Sequence, residues 1–216
     1  MAEGRINLND LIKPTDGPIS RYINRRISTR ITAFIVLKGI PLTPNQISVF
    51  SFILGVIAGI AFIKGHLILG GVLTQLSSII DGVDGELARV KNMASKRGGF
   101  LDTMLDRLAD IAICLGMILY LINTRNITLS GYVISFLAIT GCILPPYLAA
   151  EVKARDIKAE LLVPIYRPPA SRDVRLFILF LGGITGYILI SLAIVAFITY
   201  INTAIKILFI YFRLKE

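Results

Sequence analysis

Apolar residues in this 216-residue chain gather into long runs separated by short polar breaks. A membrane-spanning helix needs about 20 mostly apolar residues, and six stretches approach that requirement. They lie near residues 47–63, 67–89, 98–122, 129–150, 175–188 and 189–212. The first is entered through Thr43-Pro44-Asn45, a polar cap followed by proline at the first helical position. The last two form one continuous apolar run. Dividing it depends on Gly182-Gly183 and Gly186 marking a turn, and close helix packing is the other use of such small residues. Residues 16–38 follow a different pattern. Ile19, Ile23, Ile27, Ile31, Phe34 and Ile35 recur at three- and four-residue spacing, with Arg21, Arg25, Arg26 and Arg30 in the gaps. This predicts a basic amphipathic helix in the membrane interface, either an anchor on anionic lipid or a wall of a substrate cavity. The expected fold class is all-α integral membrane, with six transmembrane helices plus an N-terminal amphipathic interfacial helix.

Composition agrees and narrows the class. Hydrophobic residues are 55%, charged residues 17%, and mean hydropathy is +0.73. Soluble domains run near 45–50% apolar and about 25% charged, so a soluble enzyme and a disordered chain are both excluded. The N-terminus is polar through Asp16 and has no early apolar run, so no signal peptide is expected. The net charge of +9 is concentrated before the first span, between spans two and three, between four and five, and after the last. The opposite connections hold only Lys64, His66 and Arg125. By the positive-inside rule both termini and both basic loops are cytoplasmic. Residues 1–40 are then a cytoplasmic N-terminal segment and residues 41–216 a cell-membrane domain. No nucleic-acid partner is expected. Cys114 and Cys142 sit in apolar runs without metal or disulfide spacing and read as packing residues. His66, in a short loop, is given no role.

The informative chemistry is acidic. Asp81, Asp84, Asp102 and Asp106 fall within or beside two of the predicted spans. One charge at the bilayer centre costs roughly 2.5–3.5 kcal/mol, and four bare ones would cost on the order of 10 kcal/mol. They must face water, metal or a cationic partner. Asp81, Asp84 and Ala88 share one helix face, and Asp102 and Asp106 share a face of the next. A short basic link makes the two helices antiparallel, so all four carboxylates converge at the cytoplasmic end. An all-oxygen set of this kind suits Mg²⁺ or Mn²⁺, with two ions plausible for clamping a displacement. Gly82, Gly85, Ala88, Gly98 and Gly99 would leave room for a ligand, or else let helices pack closely. Arg89, ending the second span, could reach an anionic guest such as a diphosphate.

These residues resemble the CDP-alcohol phosphotransferase family, whose pattern is D-x2-D-G-x2-A-R-x8-G-x3-D-x3-D. Asp81, Asp84, Gly85, Ala88, Arg89, Gly98, Asp102 and Asp106 meet every spacing. The resemblance implies six transmembrane helices, a polar cavity open to the cytoplasm, and a homodimer. It implies that a CDP-alcohol donates its substituted phosphate to an acceptor alcohol and CMP leaves. Asp81, Asp84, Asp102 and Asp106 would bind the metals, and Asp106 would be the catalytic base on the acceptor hydroxyl. Asp84, Gly85, Ala88, Arg89 and Gly98 would form the CDP site.

Residues 13–28 and 43–48 resemble the membrane half of enzymes that join CDP-inositol to inositol 1-phosphate, giving a phosphorylated di-inositol phosphodiester. Those enzymes are often fused to a nucleotidyltransferase domain that makes the donor, and a separate enzyme could supply it here. An inositol phosphate acceptor needs cations beside the metals, and Arg167, Arg172 and Lys206 are nominated by a related branch. Topology and lipid contact for the arginines, and snorkelling for Lys206, are the plainer readings. Within the family the rival is a phospholipid synthase using a CDP-linked lipid with inositol phosphate, glycerol phosphate or serine. Outside it stand a polyprenyl transferase and a divalent-cation transporter. The first does not explain Gly85-x2-Ala88-Arg89, and the second tends to place acidic groups near the midplane and to show internal repeats, whereas these aspartates sit near one face and no repeat is apparent.

Overall fold

A computed structural model describes residues 16–157 and 170–213. Every element among them is helical. A short π-helical turn, Ser20–Asn24, runs into α1 (Arg25–Leu37), followed by α2 (Pro44–Ile63), α3 (Leu67–Val90) and α4 (Lys96–Asn123). Then come α5 (Leu129–Ala154), α6 (Arg172–Thr185) and α7 (Ile188–Arg213). Four of these, α2, α3, α5 and α7, are long and apolar enough to cross a membrane. The other two predicted spans fall short of that measure for separate reasons. The first half of α4 carries Asp102, Asp106, Arg107 and Asp110, and α6 has only 14 residues.

The helix starts follow local chemistry. Thr43 and Gln46 form a reciprocal capping box at α2, with Pro44 in the first turn. Ser95 caps α4 by accepting from the Gly98 amide at 3.0 Å. The predicted break in the last apolar run is present, but its glycines divide the work differently. Gly186 takes the left-handed conformation at φ +78°, which ends α6. Gly182 and Gly183 lie inside α6, where a Cβ on Gly183 would stand 2.8 Å from the Gly71 Cα. They serve packing, so the turn is Gly186 alone.

In the bundle α2 packs on α3 and α4, α6 on α3 and α7, and α5 on α7. The core is built from Phe62, Ile113, Met117, Leu176, Leu179 and Leu192. Gly59 and Gly116 bring the α2 and α4 backbones into contact, a small-residue crossing of the kind that substitutes for hydrophobic drive in lipid. Large apolar side chains such as Phe50, Phe136 and Phe197 point outward.

The amphipathic helix is present but turned relative to the expectation of an anchor. Its polar stripe faces the protein: Asn24, Arg25, Ser28, Thr29 and Thr32 are buried, whereas Ile23, Ile27 and Phe34 are exposed. The reason is Glu86, fully buried on α3. Its carboxylate accepts from Arg25 Nη1 at 2.7 Å, Ser28 Oγ at 2.6 Å and Thr32 Oγ1 at 2.6 Å. Arg25 also donates to both Asp16 oxygens, at 2.8 and 2.9 Å, and to the Gly82 carbonyl at 2.9 Å. Burial would lower the Arg25 pKa, but Asp16 and Glu86 outweigh it and hold the guanidinium above its ordinary value. A buried ion pair needs its lone pairs and protons satisfied, and this one has a partner at almost every atom.

Candidate active site

Asp81 and Asp84 lie toward the C-terminal end of α3, and Asp102 and Asp106 lie in the first turns of α4. The antiparallel pairing brings them together as expected. Oxygens of Asp81, Asp102 and Asp106 all fall within 4.8 Å of one another. Asp84, only 8% exposed, accepts a 2.5 Å hydrogen bond from Ser48 of α2.

The four carboxylates divide between two cavities. Asp84 and Asp102 face a cavity of about 250 Å³ that also contains Gly85, Ala88, Arg89 and Gly98. This is the residue set nominated for CDP. The N-terminal turns of α2 and α4 open onto it through Asn45, Ser48, Ser95 and Gly98. Two helix N-termini and Arg89 together suit an anion. Gly85 keeps the cavity clear, since its nearest neighbour beyond its own helix backbone is Arg89 Nη1, 3.4 Å from where a Cβ would sit.

Asp81 and Asp106 lie one turn deeper and face a second cavity of about 260 Å³, walled in part by Asp16, Ser20, Asn24 and Arg25. Gly82 belongs to this side. A Cβ there would stand 2.7 Å from Arg25 Nη1. Its smallness therefore admits the guanidinium of α1, not the ligand that Gly85 and Ala88 admit.

Arg172 lies among the carboxylates. Its Nη1 is 2.8 Å from Asp81 and 3.0 Å from Asp106, and its Nε is 3.0 Å from Asp110. The sequence reading placed Arg172 beside the metals, and the structure puts its guanidinium on two of the proposed ligands. A third cavity, about 220 Å³, joins it to Arg107, Arg175, Asn202 and Lys206. Arg167 lies outside the described residues.

Two features went unread in the sequence. Asp110, 2% exposed, extends the four-residue spacing of Asp102 and Asp106 and anchors Arg107, Arg172 and Arg175. Pro145-Pro146 stands inside α5. Proline has no N–H, so the carbonyls four residues earlier, Gly141 and Cys142, lose their helical donors. Arg175 donates to both, at 3.4 and 2.9 Å, and Arg107 to Cys142 at 3.3 Å. A proline pair in an apolar span beside basic residues is the sequence signal for this. The two cysteines are buried and free, as packing residues would be.

Two groups of atoms bear on what the site could hold. The clustered carboxylates call for cations beyond the arginines, and an all-oxygen set fits a hard divalent ion. On the other side, Arg107 Nε, Arg172 Nη2 and Arg175 Nε are buried donors with no acceptor among the described residues. Buried donors are rarely left so, and these three border the cavity that contains Lys206.

Comparison with known proteins converges on one family. The "Bifunctional IPC transferase and DIPP synthase" of Thermococcus kodakarensis is 39% identical over 179 residues, 81% of this chain and 39% of that protein. Its namesake in Rubrobacter xylanophilus is 42% identical over 178 residues, 79% of this chain and 37% of that protein. The chain thus spans about two fifths of the length of these relatives. The "Archaetidylinositol phosphate synthase" of Pyrococcus horikoshii is 29% identical and is matched over 82% of its length. In fold, the chain is similar to the Mycobacterium tuberculosis phosphatidylinositol phosphate synthase solved with CDP-DAG bound, with a TM-score of 0.72 and 19% identity over 86% of this chain and 94% of that one. Residues 41–212 match the CDP-alcohol phosphatidyltransferase family, a stretch that includes both aspartate pairs, and the chain belongs to that family.

Proposed function

We propose that this chain transfers a substituted phosphate from a CDP-alcohol to an acceptor alcohol and releases CMP, with CDP-inositol as donor and inositol 1-phosphate as acceptor. One observation carries the reading. Four aspartates meet between a cavity suited to an anionic nucleotide and a deeper one joined to orphaned arginine donors. Two substrates can then approach one point from different sides.

Asp81, Asp84, Asp102 and Asp106 would hold Mg²⁺ or Mn²⁺, two ions in our reading; a solved synthase of similar fold contains manganese. Bound there, the ions supply Lewis-acid polarisation of the phosphoryl oxygens and stabilise the departing CMP. Asp84, Gly85, Ala88, Arg89 and Gly98 seat the CDP group, with Arg89 on the diphosphate. Asp106 accepts the proton of the acceptor hydroxyl. The acceptor oxygen bonds to the phosphorus that carries the donor alcohol. The bond from that phosphorus to the bridging oxygen breaks, and CMP leaves with the electron pair. Arg107, Arg172, Arg175 and Lys206 hold the acceptor phosphate, and Arg167, outside the described residues, is proposed for the same phosphate from the sequence. Asp110 keeps the arginines in place.

We further propose six spans, with α4 and α6 completing the set, both termini and the site on the cytoplasmic side, and a homodimer in the cell membrane. Residues 1–40 form the N-terminal segment and 41–216 the membrane domain. The names of the bifunctional relatives support the inositol phosphate chemistry. A second reading, a phospholipid synthase using a CDP-linked lipid, is favoured by the archaetidylinositol relative, which this chain matches over most of its length.

The test is CMP release by purified protein with Mg²⁺ and inositol 1-phosphate, offering CDP-inositol or a CDP-linked lipid. CMP with CDP-inositol alone supports the first reading; CMP with the lipid alone replaces it with the second. Gly85→Val should weaken CDP-alcohol binding at least about tenfold, because isopropyl methyls would occupy the space that Gly85 leaves open beside Arg89. Calorimetric titration with CMP checks this, and unchanged affinity would move the nucleotide elsewhere.

A further inference from the structure

Among the described residues, the deeper chamber beneath the N-terminal segment has no apolar side chain in its wall. That is costly inside a helical membrane bundle, where polar groups must find partners. A seat for acyl chains would need apolar walls. A seat for a second phosphate would need a clear positive excess. Here four carboxylates, Asp16, Asp81, Asp106 and Asp173, face the guanidiniums of Arg25, Arg107 and Arg172. The remaining polar wall groups are the Ser20 and Ser78 hydroxyls and the Asn24 amide. Such a mixture of donors and acceptors matches a neutral ring carrying several hydroxyls. The volume, about 260 Å³, lies just below the usual 300–1,000 Å³ of ligand sites and admits one small ring.

We propose that this chamber seats the polyol ring of the acceptor, and that Ser20 and Asp173 read its hydroxyls. The inference rests on the polyol phosphate reading above and adds the residues that choose among acceptors. Position favours acceptor over donor. The chamber shares Asp106 with the aspartate cluster, so a ring hydroxyl at its edge reaches the base. It shares Arg107 and Arg172 with the arginine-rich cavity, so a ring here places its phosphate there. The wall is assembled from distant segments. The Ser20 amide donates to Asp173 Oδ2 at 2.6 Å, which ties the N-terminal segment to α6. Asn24 is engaged on both sides, donating to Ser78 Oγ at 3.0 Å and accepting from Gln75 at 2.7 Å, and so positions the wall. With Asp173 Oδ2 taken by the Ser20 amide, the Ser20 hydroxyl and Asp173 Oδ1 are the atoms assigned as readers.

The experiment uses the full chain in detergent with Mg²⁺, CDP-inositol and inositol 1-phosphate, and glycerol phosphate as a competing inhibitor that lacks the ring. Asp173→Asn and Ser20→Ala should each raise the KM for inositol 1-phosphate about tenfold, the loss expected when a site built for a hydroxyl misses one partner. The inhibition constant of glycerol phosphate and the KM for CDP-inositol should stay within about twofold, since neither depends on those hydrogen bonds. Lys206→Met should weaken both phosphates alike. Unchanged KM for inositol 1-phosphate in both chamber variants overturns the proposal, as does an equal weakening of glycerol phosphate. A rise confined to CDP-inositol overturns it in favour of the donor ring. In each of those cases a normal effect of Lys206→Met leaves the proposed function standing. A wild-type chain that releases no CMP from CDP-inositol overturns both.

Discussion

Asp106→Asn should lower kcat by about a thousandfold, within the 10²–10⁴ range for loss of a general base, while CMP binding survives. The amide keeps the shape of the carboxylate but cannot take the acceptor proton. Nucleotide affinity should hold because Asp84, Gly85, Arg89 and Gly98 line the other cavity, one helical turn away. The acceptor hydroxyl approaches from the deeper side, where Asp106 stands with Arg172 at 3.0 Å. Single-turnover CMP release together with calorimetric titration of CMP reads both quantities. Loss of nucleotide binding would show that Asp106 chiefly organises the cluster, and a near-normal kcat would remove it from the chemistry.

Glu86→Ala should be the most destabilising single change in the described region, by about 3 kcal/mol, the scale of breaking one partner out of a buried ion pair. Glu86 is 0% exposed and accepts from three side chains of α1. Its removal leaves Ser28, Thr32 and one arm of Arg25 facing a void. For a chain of this size that corresponds to a fall in Tm of roughly 6–12 °C, measurable by thermal unfolding in detergent. A second consequence distinguishes the clamp from ordinary packing. Arg25 walls the deeper chamber, so the KM for the acceptor should rise while that for the CDP-alcohol changes little. A Tm within about a degree of wild type would mean that the hydroxyls of α1 find other partners at no cost.

Much of this was legible because lipid punishes polar groups so heavily that their positions carry information. The runs of apolar residues predict α2, α3, α4, α5 and the division of α6 from α7, with ends displaced by a few residues. Four aspartates in two adjacent apolar helices point to a polar site, and their spacing with Gly85, Ala88, Arg89 and Gly98 names the family. The basic amphipathic pattern of residues 16–38 predicts a helix but not its orientation. Its arginines and isoleucines allow either face to turn inward. The partner that decides, Glu86, lies 54 to 61 residues from the side chains it binds and reads locally as one more residue of an acidic motif.

The sequence by itself determined the helices, the aspartate cluster and the family, because hydrophobic periodicity and motif spacing are local properties of the chain. Only the tertiary structure decided that Asp84 and Asp102 face one cavity and Asp81 and Asp106 another. It alone placed Gly82 against Arg25, and it alone showed that Pro145-Pro146 frees two carbonyls for Arg175 and Arg107. Each of these depends on which residues from distant helices meet at one depth in the bundle. Packing sets that depth, and no local pattern encodes it.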